Sequence, residues 1–384
     1  LNHARNQLKA NVINFYHKGD FINKKQKTSW GLKLQGENVT NDIKEWNYLD
    51  SARFNTPKPI DSVGYQDPSS IPYQQLVLSN LIKANNKIAS SRVTGFIQHR
   101  FKFNRSKEIN LQYNTDSNFN LDTTFTSQDY FMATIGARAN YWTFNNQTVF
   151  SPRINIKWRP AFYKYENNQI IRKNITFRLA TGYYYQPPFY RAARYLDGSI
   201  NPTIRAQKSI HIVAGGDLVF NMWDRKFKFG SEIYYKFLQD IIPYEIENVR
   251  VNYYGENLAS GYARGIDLKI NGEFVEGIQS YASLSWLQTK EDLSNDFYYE
   301  YFNQNGEKII PGYTIDQNRA DSILYEPGFI PRPTDQRLSF SMFFQDQMPD
   351  DWDTEKVKWS NMKVNINVLV ASRLPYGQPG NKRY

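Results

Sequence analysis

The chain has no cysteine among its 384 residues, so it can form neither disulfides nor thiolate metal sites. It also has no apolar run of about 18 residues, which excludes a transmembrane helix. The only histidines, His3, His17, His99 and His211, are scattered and show no His-Glu-x-x-His spacing, so no metal site is predicted. No nucleophile elbow, phosphate-binding loop or acid–base pair is recognisable. We therefore predict that the chain is not an enzyme and needs no cofactor.

Aromatic residues, in contrast, are abundant: 28 Tyr, 25 Phe and 8 Trp make up 16% of the chain. Aromatic side chains favour β-strands and membrane interfaces. Mean hydropathy is only -0.66, but the polar inner face of a membrane β-barrel lowers this average without excluding that fold.

The net charge is +10. Because the basic residues neither cluster on a helix nor alternate with a stacking platform, we predict no nucleic-acid partner.

The segment 226–237 alternates strictly between an apolar and a charged face. Phe227, Phe229, Ile233 and Phe237 lie on the first face, and lysines lie on the second. Its length matches the roughly ten residues that a tilted strand needs to cross a bilayer. About 13 segments show this alternation. They lie near 8–16, 26–35, 75–84, 89–103, 130–144, 149–159, 173–186, 209–221, 226–239, 259–272, 278–290, 336–346 and 360–371.

The connections between these segments differ in length. Long polar loops are predicted near 36–74, 187–208, 240–258 and 291–335, and they alternate with short turns over the second half of the chain. Outer-membrane barrels carry short turns on one side and long loops on the other. No helix is predicted, and 104–129 has no clear assignment. We therefore predict an all-β fold, a transmembrane antiparallel β-barrel. A soluble β-sandwich is the alternative, because its strands alternate in the same way.

Several blocks of sequence, taken together and in this order, carry a family resemblance. They are Gly182-Tyr-Tyr-Tyr-Gln-Pro-Pro-Phe-Tyr-Arg191, Glu232-Ile-Tyr-Tyr-Lys236, Tyr254-Gly-Glu-Asn257, Gly261-Tyr-Ala-Arg-Gly-Ile-Asp267 and Pro331-Arg-Pro-Thr-Asp-Gln-Arg337. The chain resembles the barrel of TonB-dependent outer-membrane receptors of the Bacteroidetes, SusC-like type. Those proteins carry a carboxypeptidase-regulatory-like domain and a plug. The resemblance runs from about residue 8 to the last residues.

The resemblance implies a barrel of about 22 strands filled by a plug. It implies energy-coupled uptake of a solute such as a glycan, a peptide or a chelate across the bacterial outer membrane. The expected partners are outer-membrane lipid, TonB, the plug of the same full-length chain and a surface lipoprotein. Residues 1–384 are then expected to form an incomplete barrel without its plug. Two alternatives remain: a passive or structural outer-membrane barrel, and a soluble all-β sugar-binding domain.

Two groups of residues are candidate sites. In the 187–208 loop, Tyr190, Arg191, Arg194 and Tyr195 could stack on and hydrogen-bond a substrate, although packing against neighbouring loops is the simpler interpretation. Basic residues on the polar faces of strands are expected to line the lumen. We expect them to pair with carboxylates of the plug or, as the second possibility, to attract an anionic solute. These basic residues are Arg153, Lys157, Arg178, Lys226, Lys228 and Lys236, with Arg159 and Lys363 as further examples.

Overall fold

The structure is a computed structural model that describes residues 2–49, 77–114, 120–166, 169–247, 250–275, 278–310, 313–347 and 362–375. These residues contain β-strands, turns and irregular segments. Within these ranges, no helix is long and apolar enough to cross a membrane.

Nineteen strands are present in the described residues, and most of them are long. Their bounds are β1 Asn2–Ala4, β2 Gln7–Ile22, β3 Gln26–Leu49, β4 Val77–Asn114, β5 Asn120–Trp142, β6 Gln147–Arg159, β7 Phe162–Glu166, β8 Gln169–Gln186, β9 Gln207–Met222, β10 Arg225–Ile241, β11 Tyr244–Glu247, β12 Arg250–Tyr253, β13 Ala259–Val275, β14 Ile278–Leu293, β15 Tyr298–Phe302, β16 Asp321–Tyr325, β17 Ile330–Pro331, β18 Leu338–Gln347 and β19 Lys363–Ala371.

Fifteen of these strands form one antiparallel sheet. Its main path runs β1-β3-β4-β5-β6-β8-β9-β10-β13-β14-β18-β19, with β2, β7 and β17 paired at its sides. The pairs β11–β12 and β15–β16 are separate hairpins within the connections. In the described part of the chain β19 pairs with β18 alone, so the sheet is open at that edge. The prediction of an all-β, antiparallel fold is confirmed.

The strands extend further than the alternation predicted. The expected loop near 36–74 is wrong over its first part, because β3 continues to Leu49; residues 50–74 lie outside the described ranges. The segments 75–84 and 89–103 form one strand, β4, and the unassigned region 104–129 belongs largely to β4 and β5. The connections 240–258 and 291–335 contain the two hairpins. Only the polar connection 187–206 has no strand of its own.

The apolar face of the main sheet is exposed. Its rows cross several strands: Ile233 of β10 pairs with Ala214 of β9 and with Ile266 of β13, which pairs with Trp286. Ile233 is 56% exposed, and Ile266 and Trp286 are exposed as well. In a β-sandwich this face would be covered by a second sheet. The described residues contain no such layer, so the sandwich alternative is not supported.

From β8 to β18, long connections lie at one end of the sheet and short turns at the other. The connections after β3, β8, β10 and β14 all leave from one end, here called the loop end; they span 50–76, 187–206, 242–258 and 294–337. At the opposite end, here called the turn end, only two residues join β9 to β10 and two join β13 to β14. Trp223 and Asp224 form the first of these turns with positive φ angles. Over the second half of the chain, from β8 to β18, short and long connections therefore alternate as the sequence predicted, whereas at the loop end β5 and β6 are joined by the short turn 143–146.

Candidate functional site

The connection 187–206 is attached to the main sheet through a buried carboxylate. Tyr190 donates its phenolic hydrogen to Oε2 of Glu37 at 2.5 Å. Glu37 lies on β3, and its side chain is only 2% exposed. Burial, together with the Glu37 charge, raises the pKa of Tyr190, so the phenol stays protonated and remains a donor.

Glu37 has further partners on β3 and β4. Arg92 Nε lies 3.1 Å from Oε1 of Glu37, and Ser90 Oγ donates to Oε2 at 3.3 Å. Gln35 also donates to Glu37. The guanidinium of Arg92 lies 4.3 Å from the ring centre of Trp142, whose indole N–H donates to Ser90. We call Gln35, Glu37, Ser90, Arg92, Trp142 and Tyr190 the Glu37 cluster.

The other arginines of this connection are held by protein partners too. Arg194 lies 3.9 Å from Glu45 of β3, and the pKa of its guanidinium is lowered because burial outweighs the favourable Glu45 charge. Arg191 donates to the carbonyl of Val251 at 2.6 Å. The backbone N–H of Tyr195 donates to the carbonyl of Ser199 at 2.9 Å. The connection is therefore fixed on both sides.

A small apolar core joins this connection to the next one. Ala192, Ala193 and Ile204 pack with Ile242, and all four are buried. Gly255 adopts a φ of +73°, and a Cβ at this position would lie 2.3 Å from the carbonyl oxygen of Arg194. Glycine is therefore required there both for its backbone conformation and for the close approach. The two connections form one ordered platform at the loop end.

The structure places Tyr190, Arg191, Arg194 and Tyr195, the four candidate residues of the predicted 187–208 loop, in this platform. It also provides partners that the sequence reasoning missed: Glu37 and Glu45, which lie on a part of β3 that had been predicted to be loop. Contact of these four residues with a substrate remains a prediction.

The six basic residues predicted to lie on polar strand faces all lie on one face of the sheet, opposite the exposed apolar face. The register shows this directly, since Lys157 pairs with Arg178 and Arg178 with Gly215, which pairs with Glu232 of β10. Towards the turn end, Asp217 forms ion pairs with two of these cations. Its Oδ1 lies 3.2 Å from Arg178 and 3.5 Å from Lys228.

Nearer the loop end, the basic residues of one row on this face contact aromatic rings, whereas those beside Asp217 form ion pairs. Arg153, Gly182, His211 and Lys236 are successive partners across β6, β8, β9 and β10. The Arg153 guanidinium lies 4.2 Å from the ring centre of Tyr184, and the Tyr184 and His211 rings are stacked with centres 4.2 Å apart. We call Arg153, Tyr184, His211 and Lys236 the cationic row.

Two carboxylates lie on the same face, four residues along the strand from the cationic row towards the turn end. Glu232 and Asp267 are directly paired on β10 and β13. Like charges placed opposite each other destabilise a strand pair, so their position calls for a polar environment. In the described part of the chain, no group of three potential ligand side chains that could hold a metal ion is found.

No protein-family model and no curated protein matches this chain. Among solved structures, the chain is similar to the RagAB peptide transporter, with 9% identity, a TM-score of 0.37 and coverage of 95% of this chain and 48% of that one. For the RagAB peptide importer in its "closed-closed" state, identity is 11%, the TM-score 0.34 and coverage 88% and 46%. For a mutant of the ferric enterobactin receptor (PfeA) from Pseudomonas aeruginosa, these values are 9%, 0.30, 89% and 63%. The chain therefore spans about half the length of the two RagAB chains.

Proposed function

We propose that this chain forms part of an outer-membrane β-barrel that imports a solute with energy supplied through TonB. The observation that carries the proposal is the exposed apolar face of the sheet, which lies opposite the face that carries the six basic residues described above. Exposed apolar surface of this extent needs a partner, and a lipid bilayer is the partner that fits a continuous face of long antiparallel strands.

The height of the apolar face supports this assignment. Aromatic side chains border it at both ends: Phe220 and Phe227 contact each other at the turn end, and Tyr235 contacts Phe237 and Tyr262 at the loop end. Phe237 lies ten positions after Phe227, which corresponds to about 33 Å along the strand. A strand tilt of about 40° reduces this to about 25 Å, the height of the apolar band of outer-membrane barrels.

Import is supported by the platform at the loop end and by the resemblance to TonB-dependent receptors. Loops held on a rigid scaffold commonly carry recognition, and Tyr190, Arg191 and Arg194 belong to such a loop. Under this proposal, the open edge of the sheet pairs with further strands of the full-length protein, since lipid does not tolerate unpaired backbone groups. A plug, TonB and a surface lipoprotein would be its protein partners.

The membrane assignment predicts a strong asymmetry between the two faces. Replacing Ile233, in the middle of the apolar face, by lysine should destabilise the inserted protein by about 2–4 kcal/mol. Ser285→Lys is the matched control, since Ser285 pairs with Asp267 on the polar face. Unfolding from detergent or lipid measures both variants. If Ile233→Lys is as stable as Ser285→Lys, the apolar face does not face lipid.

Energy coupling is tested by uptake in cells that produce the full-length protein. Substrates from the glycan, peptide and chelate classes are supplied with the proton gradient intact or dissipated. Accumulation that stops with the gradient supports the proposal. Uptake that continues unchanged identifies a passive barrel instead.

A further inference from the structure

We propose that the cationic row is a binding subsite for an oxyanion, a carboxylate or phosphate group, of the imported solute. This inference rests on the proposed function, because it takes the polar face to line the path of the solute. It adds a location, a set of four side chains and a ligand chemistry.

The first argument is charge that lacks a protein counterion. In the described part of the chain, neither Arg153 nor Lys236 has a carboxylate partner, and each lies instead against an aromatic ring, of Tyr184 and Tyr234 respectively. Arg178 and Lys228, on the same face, share Asp217. Cations that contact only aromatic rings keep their hydrogen-bond donors available for an external anion.

The second argument is pre-organisation. Tyr184 lies between the Arg153 guanidinium and the His211 ring, and so fixes the direction of the Arg153 side chain. Gly182 makes this arrangement possible, because a Cβ there would lie 2.9 Å from Cγ of Arg153 and from the carbonyl oxygen of Pro152. A guanidinium held in place presents a planar set of donors that matches the oxygens of a carboxylate or phosphate.

The third argument is position. His211 and Lys236 are directly paired, and Arg153 lies two strands from His211, so the Cα atoms of the three residues span about 15 Å, within which the long Arg153 and Lys236 side chains flank His211. Arg153 is exposed, and His211 and Lys236 are half-buried, so a ligand can reach all three. The carboxylates of Glu232 and Asp267 lie about 13 Å further along the strands, which leaves the row electropositive. An anionic group entering from the loop end would meet this row before the carboxylates of Glu232 and Asp267.

Binding of two probes, inorganic phosphate and citrate, to the purified full-length protein in detergent at low salt tests the proposal. Calorimetry or ligand-observed NMR measures the affinity. We expect Arg153→Gln and Lys236→Gln each to weaken binding about tenfold. Arg178→Gln and Lys228→Gln remove the same charge from the same face and should change affinity less than about twofold, because those cations already pair with Asp217.

Gly182→Ala leaves every charge in place and tests the positioning of Arg153. It should weaken binding, and because the new Cβ also approaches the carbonyl oxygen of Pro152, circular dichroism and the unfolding temperature are measured to show that the sheet still forms. Tighter binding of phosphate than citrate assigns the subsite to phosphorylated solutes, and the reverse order assigns it to carboxylates.

Equal losses in all four charge variants would overturn the proposal, because they would indicate a diffuse field rather than a subsite. Absence of binding of both probes would overturn it as well, including the case in which a carboxylate from elsewhere in the full-length protein occupies the row. These outcomes are independent of the Ile233→Lys and uptake experiments, so the failure of the subsite and the failure of the proposed function can be told apart.

Discussion

The Glu37 cluster and the cationic row are both charged groups towards the loop end of the sheet, yet they are built in opposite ways. In the Glu37 cluster a buried carboxylate has an arginine, a serine, a glutamine and a tyrosine as partners. In the cationic row, Arg153 and Lys236 contact aromatic rings and have no carboxylate partner among the described residues. A saturated, buried group fixes the fold, whereas an accessible and unsaturated group is available to a ligand.

The largest expected effect comes from breaking the buried group. Glu37→Ala leaves Arg92 and Tyr190 without their acceptor, and removal of one partner from a buried ion pair costs about 3 kcal/mol or more. The unfolding temperature in detergent should fall, and protease should cleave the 187–206 connection. Glu37→Gln keeps the size and one acceptor oxygen, so it should recover part of this loss. An unfolding temperature equal to that of the wild type would mean that the cluster does not stabilise the protein.

A smaller and more local effect is expected at the other end of the same contact. Tyr190→Phe removes one hydrogen bond to a charged group, which costs about 1.5–3 kcal/mol. The loss should appear as faster proteolysis within 187–206, with little change in global unfolding. Tyr195→Phe is the control, since no hydrogen bond of the Tyr195 hydroxyl is found among the described residues. Equal cleavage rates for the two variants would show that Glu37 does not hold this connection.

The sequence predicted the sheet well and the sites only in part. Alternation was sufficient for strands such as β10, because the apolar and the polar positions differ strongly there. It failed for β3 beyond residue 35, where polar side chains such as Asn38 and Thr40 occupy the face that is apolar in the first half of the strand. Hydrogen bonding to β4 continues past the apolar belt, and it needs no apolar side chains.

The contacts of the sites depend on register and on distance along the chain, which alternation does not encode. Alternation places Tyr184 and Arg153 on the same face, but only the pairing of Arg153 with Gly182 brings their side chains together. Tyr190 and Glu37 are 153 positions apart. No local pattern could have joined them, since Glu37 lay in a segment that was predicted to be loop.

The smallest expected effect separates stability from binding in the cationic row. Lys236→Gln removes a half-buried cation that has no carboxylate partner among the described residues, so the free energy of unfolding should change by no more than about 0.5 kcal/mol, the usual range for substitutions outside the core and outside ion pairs. Its loss also relieves repulsion from Arg153, which favours a slight gain rather than a loss. Chemical denaturation in lipid, with Lys228→Gln as the comparison, measures this difference. Because Lys228 loses an ion pair with Asp217, Lys228→Gln should be the less stable variant even though it binds anions normally. If Lys236→Gln were the less stable of the two, Lys236 would be a structural residue, and the contrast between a closed cluster and an open row would fail.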